Sequence, residues 1–451
     1  MLLAAVLLYL VAQLGIGVWV SRRIASESDY LLAGRSLGPL LLTFSLFATW
    51  FGAETIVGSA GTTYGEGVSL ASAEPFGYGL CLILLGAVFA VPLWKRGLTT
   101  LADFFRQRYS VSVERVAAIV LIPSSVLWAA AQVRAFGYVL STSSTLDVNT
   151  AIALAAGFTM IYTVFGGLLA DAMTDLIQGG LLVLGLLVVF IAVVLSLGGI
   201  GGTMEAIATA STVRRAPDVP LLGAMESWAI PVFGSLLATE TVGRVIAARS
   251  APVARRSAIA AGALYLGVGC IPVVIGLAGP VLLPSLGDAE QLIPTVARAI
   301  LPDVFYVIFA GGLISAILST VDSTLLIASG LLSHNVIVPL ARITSERRKV
   351  LIARGGVLLF GGIAYLLAIG AEGVFALVEQ ASAFGSAGAL VTIAVGLFTP
   401  WGGARTAMAT LVGGVTVYLV ASYGGFAYPF LASLATSLVV YAVGSALERR
   451  H

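Results

Sequence analysis

Apolar stretches of about twenty residues follow one another along this chain from Leu2 to Leu447. No other feature of the sequence constrains the fold as much. A bilayer core is about 30 Å thick, and about 20 residues of α-helix cross it. Only 10% of the 451 residues are charged, and the mean hydropathy is +1.03. A soluble domain carries about 25% charged residues. In hydrocarbon every backbone polar group must be satisfied within the chain, which leaves helices or a closed barrel. Blocks of this length select helices.

The expected fold class is therefore an all-α membrane protein with about thirteen spans. They cover about 2–20, 39–64, 72–94, 115–140, 150–168, 174–197, 224–247, 257–280, 302–333, 350–370, 373–399, 405–422 and 426–447. The N-terminal run lacks a basic n-region and is followed by Arg22 and Arg23, so it reads as a span rather than a signal peptide. The net charge of +2 gives no reason to expect a nucleic-acid partner. Cys81 and Cys270 sit in separate apolar blocks and are expected to be buried structural thiols. His334 and His451 have no neighbours at metal-ligand spacing. With no nucleophile, base or metal set in view, an enzyme is not expected.

Basic residues concentrate on the cytoplasmic side of membrane proteins. Placing the N-terminus outside puts three groups in the first cytoplasmic loops: Arg22, Arg23 and Arg35; Lys95, Arg96, Arg106, Arg108 and Arg115; and Arg244, Arg249, Arg255 and Arg256. Arg342, Arg347, Arg348, Lys349 and Arg354 follow, then Arg405, Arg449 and Arg450. Only Arg214, Arg215 and Arg298 fall outside, with Arg134 inside a span. The expected location is the cell membrane, with the C-terminus cytoplasmic and no soluble output domain.

Interrupted helices and intramembrane polar residues separate transporters from other helical membrane proteins. The second span, FATWFGAETIVGSAGTTYGEG, carries Gly52, Gly58 and Gly61, with Glu54 and Thr55 near its middle. The seventh, WAIPVFGSLLATETVGR, carries Pro231, Gly234 and Glu240. They are five spans apart, as two inverted five-helix halves would require. In the ninth span Ala316, Ser319, Thr320 and Ser323 share one helical face, which Asp322 borders. A mid-membrane carboxylate costs about 2.5–3.5 kcal/mol even on insertion scales, so Asp322 needs a partner or a cation. Asp171 and Asp175 open the sixth span. Oxygen-only clusters suit a hard cation such as sodium.

These motifs resemble the sodium/solute symporter family. The likeness runs through DYLLAGRSLG (29–38), the first broken span (47–64), TTLADFFRQRY (99–109), YTVFGGLLADAMTDLIQ (162–178), GRVIAARS (243–250) and LISAILSTVDSTLLIASGLLSHN (313–335). The resemblance implies the LeuT-type fold of five plus five inverted repeats. The implied organisation is an extra helix and loop over 1–38, core helices 1–5 over 39–200, core helices 6–10 over 201–400, and two further helices over 401–451. It also implies a sodium site made of the carbonyls of Ala48, Phe51 and Ala316 with the hydroxyls of Ser319 and Thr320. Some members hold a second sodium, which here would fall to Asp175, Ser319, Asp322 and Ser323.

The branch most alike is that of the choline transporters, which share the features TW (49–50), PFGYGLCLIL (75–84) and LWAAA (127–131). That branch holds a quaternary ammonium in an aromatic cage, by cation–π attraction. Trp50, Tyr78 and Trp128 match three cage positions, and the fourth falls at Ala238, where no ring stands. Glu54, Thr55, Gln132 and Glu240 complete the expected solute contacts. Arg134 is expected either to pair with an internal glutamate or to bind a solute carboxylate. The favoured function is sodium-driven import of a cationic or zwitterionic amine by alternating access. A sugar or a carboxylate as solute, proton coupling, and a non-transporting sensor stand as alternatives. The expected partners are the solute, sodium ions and the lipid bilayer, with no obligatory protein partner.

Overall fold

The computed structural model describes residues 11–12, 15–16, 18–22, 24–52, 54–142, 146–213, 218–371 and 374–449. The first expected span, 2–20, therefore lies mostly outside the described residues, as do Arg23, Arg214, Arg215, Arg450 and His451. Within the described residues the regular structure is helical, apart from a bridge between Leu37 and Ala248. Among the described residues eleven helices are long and apolar enough to cross a membrane. The count is twelve when the bent pair Pro39–Trp50 and Glu54–Glu66 is taken as one span.

A short α1 (Glu27–Leu32) precedes the first broken span, α2 (Pro39–Trp50) and α3 (Ser59–Glu66). A π turn over Glu54–Gly58 joins these two, and the span bends there by 57°. Gly52 stands at the bend, where the Glu54 carboxylate folds back to within 2.5 Å of the place a Cβ would take. Next come α4 (Phe76–Leu84), α5 (Ala90–Lys95), α6 (Ala102–Arg108) and the long α7 (Val111–Thr142). The fifth and sixth expected spans form one element, α8 (Val148–Ser196), which turns at Gly167. That residue adopts φ 62°, and the ring of Tyr30 approaches within 2.8 Å of where its Cβ would stand. The break at Gly167 separates two spans, Val148–Phe165 and Gly167–Ser196, so Asp171 and Asp175 lie in the first turns of the second, where both are buried.

After α9 (Gly199–Val213), the second broken span runs as α10 (Leu221–Ala229), a π turn over Ile230–Gly234, and α11 (Thr239–Ile246). Pro231, which has no N–H to donate, begins this interruption. The remaining helices are α12 (Ala251–Leu282), α13 (Leu292–Ile300), α14 (Asp303–Leu332), α15 (Glu346–Gly370), α16 (Val374–Ala383), α17 (Ser386–Phe398), α18 (Ala404–Tyr423) and α19 (Pro429–Glu448).

Helix α14 forms the centre, packed by α8, α7, α15 and α2. From Phe309 to Leu331 it is almost wholly buried. Glycines let the backbones of α8 and α14 approach: a Cβ at Gly312 would lie 3.0 Å from Leu182 Cα, and one at Gly185 would lie 3.0 Å from Phe309 Cα. Outward-facing Ile177, Ile191, Leu195, Leu351 and Leu366 give the bundle its apolar surface.

Two expectations change. Cys270 is exposed on α12, and only Cys81 is buried. Arg244, placed in a cytoplasmic loop by its position at the end of the seventh apolar run, is fully buried. The expected span 224–247 already enclosed Arg244, and the error lay in counting its charge with the loop that follows α11.

Candidate functional site

The first break exposes the last carbonyls of α2, which have no further turn to bond to. Side chains from other helices take two of them. Thr320 Oγ1 of α14 donates to Thr49 O at 2.9 Å, and Tyr265 OH of α12 donates to Trp50 O at 2.9 Å. Thr320 also donates to Ala316 O at 3.2 Å. Ala48 and Phe51 are fully buried in the same stretch of α2, as Ser319 is on α14. The five residues expected at the sodium site thus lie on two turns that touch. Ala48 and Phe51 stand at the C-terminal end of α2, whose dipole favours a cation, and Ala316, Ser319 and Thr320 face it from the middle of α14.

One turn away lies a buried acid cluster. Asp175 accepts from Ser45 at 2.5 Å and from the Ser319 hydroxyl. Asp171 accepts from Arg244 Nη2 at 2.7 Å and from Ser323 at 3.2 Å. Asp322 Oδ1 accepts from Thr163 at 2.7 Å, while its Oδ2 has no protein partner. Arg244 also reaches Asp175 at 3.2 Å, Ser45 at 2.7 Å and the Ser323 hydroxyl. The second expected cation set is therefore divided. Asp175 and Ser319 meet directly, Ser323 belongs with Asp171 and Arg244, and Asp322 faces Thr163. Sequence reasoning missed Arg244 as part of this cluster. The available signal was its position four residues after Glu240, on one face of a short helix.

On the other side of the first break the expected solute residues gather. The rings of Trp50 and Tyr78 lie 5.2 Å apart, those of Trp50 and Trp128 5.9 Å, and those of Tyr78 and Trp128 6.1 Å. Together they form one aromatic wall. Gln132 Nε2 donates to Glu54 Oε2 at 2.7 Å, leaving Glu54 Oε1 and Gln132 Oε1 without protein partners. Thr55 donates to Glu74 Oε1 at 2.8 Å and also bonds Tyr265 OH. Glu74 is a carboxylate the sequence reading passed over, although it stands four residues before Tyr78. Glu240 accepts from the Ser125 hydroxyl.

No basic side chain pairs with Glu54, Glu74 or Glu240 among the described residues; each is served by neutral donors. Of the two expected roles of Arg134, pairing with a glutamate is not found among the described residues. Arg134 donates to Ala368 O at 2.6 Å and to Tyr138 OH at 3.1 Å. Chemically, this place offers ring faces and, at Glu54 Oε1, an acid oxygen without a protein partner. It suits a cation with an apolar surface.

The model of the sodium:solute symporter family matches residues 30–414. The high-affinity choline transporter 1 of Drosophila melanogaster is 28% identical over 407 residues, 84% of this chain. The match covers 64% of that transporter, so the chain spans less than two thirds of its length. The sodium/pantothenate symporter of Escherichia coli strain K12 is 27% identical over 466 residues, covering 97% of this chain and 94% of its own. Among solved structures, a Na+-coupled sialic acid symporter in a substrate-bound, outward-open state superposes with a TM-score of 0.87. The identity is 20%, over 99% of this chain and 97% of that one. The fold is therefore shared.

Proposed function

This chain belongs to the sodium:solute symporter family and has its LeuT-type fold, and on that premise we propose that it imports a small cationic or zwitterionic amine together with sodium. The observation that carries the solute class is the aromatic wall of Trp50, Tyr78 and Trp128 beside Glu54 and Glu74, two buried carboxylates without a basic partner. A cation over an aromatic face gains about 2 kcal/mol or more when desolvated. Buried carboxylates are stabilised only when they are paired. A carboxylate solute is disfavoured because Arg134 is turned to Ala368 O.

Sodium binds where Thr320 meets the end of α2, through the carbonyls of Ala48, Phe51 and Ala316 and the hydroxyls of Ser319 and Thr320. A cation there fixes the broken helix against α14, and the same broken helix carries Trp50 and Glu54. Ion occupancy is thereby coupled to the shape of the solute site. The core that carries the two broken spans then rocks against the scaffold, so that the site opens inward. A second sodium falls to the Asp175 and Ser319 side of the acid cluster. With the N-terminus outside, most basic residues face the cytoplasm, where both ligands leave. Each sodium gains about 2.3 kcal/mol per 100 mV and about 1.4 kcal/mol per tenfold gradient. At 100 mV and a tenfold gradient one ion sustains more than about a hundredfold accumulation of a neutral solute.

The test is uptake of radiolabelled choline and a panel of other amines into proteoliposomes of the purified protein, with and without an inward sodium gradient. Sodium-stimulated accumulation of an amine is expected. Accumulation that ignores sodium and follows a proton gradient would overturn the ion assignment. Sodium-driven uptake of a sugar or carboxylate, with amines excluded, would overturn the solute class.

A further inference from the structure

A small cavity adjoins the aromatic wall. Trp128 and Ser124 of α7, Ser235 and Ala238 of the second break, Thr239 of α11 and Ser382 of α16 all line it. Its volume is about 20 Å³, room for one water-sized group such as a hydroxyl or carbonyl oxygen. Trp128 Nε1 and Ser235 Oγ have no protein partner, in residues only 5% and 1% exposed. A buried polar group left unsatisfied costs about 1–3 kcal/mol. The indole N–H only donates, so whatever completes it is an acceptor.

The other lining hydroxyls are already engaged. Ser124 donates to Ala381 O at 2.5 Å, Ser382 bonds Tyr78 OH at 3.1 Å and Thr239 bonds Ser125 at 3.2 Å. Trp128 and Ser235 are thus the groups free to receive a ligand atom. No basic residue lines the space, and Glu240 follows Thr239 in the chain. An anionic group would find no counter-charge there. The space also depends on Ala238, which contributes only a methyl group to the wall; a large ring at that position would fill it.

We propose that this cavity is a subsite for a neutral oxygen function, a hydroxyl, ether or carbonyl, on an arm of the transported amine, and that Ala238 keeps it open. The inference rests on the amine reading above and deepens it. The ammonium lies against Trp50, Tyr78 and Trp128, and the arm passes the edge of Trp128 so that its oxygen accepts from the indole N–H. The Ser235 hydroxyl donates to the same oxygen or accepts from it. Recognition of the arm then separates solutes that the aromatic wall alone would treat alike.

The experiment measures binding in sodium to the purified full chain by isothermal titration. Two probes of matched length differ only in the arm: butyltrimethylammonium, and the ether in which an oxygen replaces one methylene, (2-methoxyethyl)trimethylammonium. Tetramethylammonium reports on the wall. The ether is expected to bind at least tenfold more tightly than the alkyl amine. Ser235→Ala should reduce that preference several-fold. Ala238→Trp should abolish it while tetramethylammonium still binds. Should Ala238→Trp fail to fold, Ser235→Ala decides. Equal binding of ether and alkyl amine to the unaltered protein, with tetramethylammonium bound, would mean that the cavity holds water only and would overturn the subsite alone. Absence of binding by all three amines would overturn the amine reading and the subsite with it.

Discussion

Arg244 donates through Nη2 to Asp171 Oδ2 at 2.7 Å, with both side chains sealed inside the helix bundle. Asp175 takes the same nitrogen at 3.2 Å. One guanidinium therefore ties α11, the second half of a broken helix, to α8. Removing it leaves two carboxylates buried without a counter-charge, and breaking a buried pair from one side costs about 3–5 kcal/mol. Arg244→Met is expected to lower the thermal unfolding midpoint in detergent by at least several degrees, or to prevent recovery of folded protein. Arg244→Met with Asp171→Asn should recover part of the loss. A single variant as stable as the parent would show that the pair contributes nothing net.

The junction of Thr320 with Thr49 O predicts where sodium dependence resides. The expected effect of Ser319→Ala combined with Thr320→Ala is a rise of at least tenfold in the sodium concentration for half-maximal uptake. The melting midpoint should fall by a few degrees, because Asp175 and Thr49 O each lose a buried donor, while folded protein is still recovered for the assay. Uptake assays across a sodium series read the effect. An unshifted series would remove these residues from the ion site.

Much of this arrangement was legible in the sequence. The two broken spans appeared where Gly52 and Pro231 interrupt apolar runs, because those residues act locally on the backbone. The polar face of α14 followed from helical spacing alone. Arg244, Asp171 and Glu74 were harder for a shared physical reason. Their significance lies in partners about 70 residues away or more for the first two, and 19 and 191 for Glu74. Spacing along one helix carries no record of such pairs. The positive-inside rule even pointed Arg244 the wrong way, since it weighs an arginine by its loop and not by its neighbours in space. The boundary between the fifth and sixth spans was placed a few residues late because a single glycine at positive φ, Gly167, turns the chain without any polar segment to mark it.

Glu54 offers a direct test of charge recognition. Its Oε1 has no protein partner, and Gln132 holds Oε2 at 2.7 Å. Glu54→Gln keeps the size and removes the charge. Truncating one side of a buried charge pair costs about 2–5 kcal/mol, so the half-saturation concentration of a cationic amine should rise at least tenfold. A neutral solute, if carried at all, should be affected much less. Equal losses for cationic and neutral solutes would argue that Glu54 supports the broken helix and does not read charge.

Asp103 governs a separate, acid-sensitive contribution in the connecting helix α6. Its carboxylate accepts from the amides of Thr99 and Thr100 at 2.7 and 3.1 Å and from Asn335 at 3.0 Å. It also faces His334 Nε2 at 3.3 Å, while His334 Nδ1 faces Glu27 at 3.0 Å. Arg106 lies 3.3 Å away, and Glu114 adds a second negative charge nearby through its own bond to Asn335. Burial by itself would raise the carboxyl, but the hydrogen bond and charge of His334, with the two amides, hold it down at about 2. A carboxyl held below its unfolded value stabilises the fold at pH above that value, and the stabilisation fades as the pH falls through the folded one. The window runs from about pH 4 to about pH 2, since an unperturbed aspartate titrates near about 3.9. Asp103→Asn should therefore melt several degrees below the parent at pH 7, and the gap should close as the pH is lowered through this window. A gap that stayed constant down to pH 2.5 would mean that packing, and not the charge of Asp103, ties α6 to the end of α14.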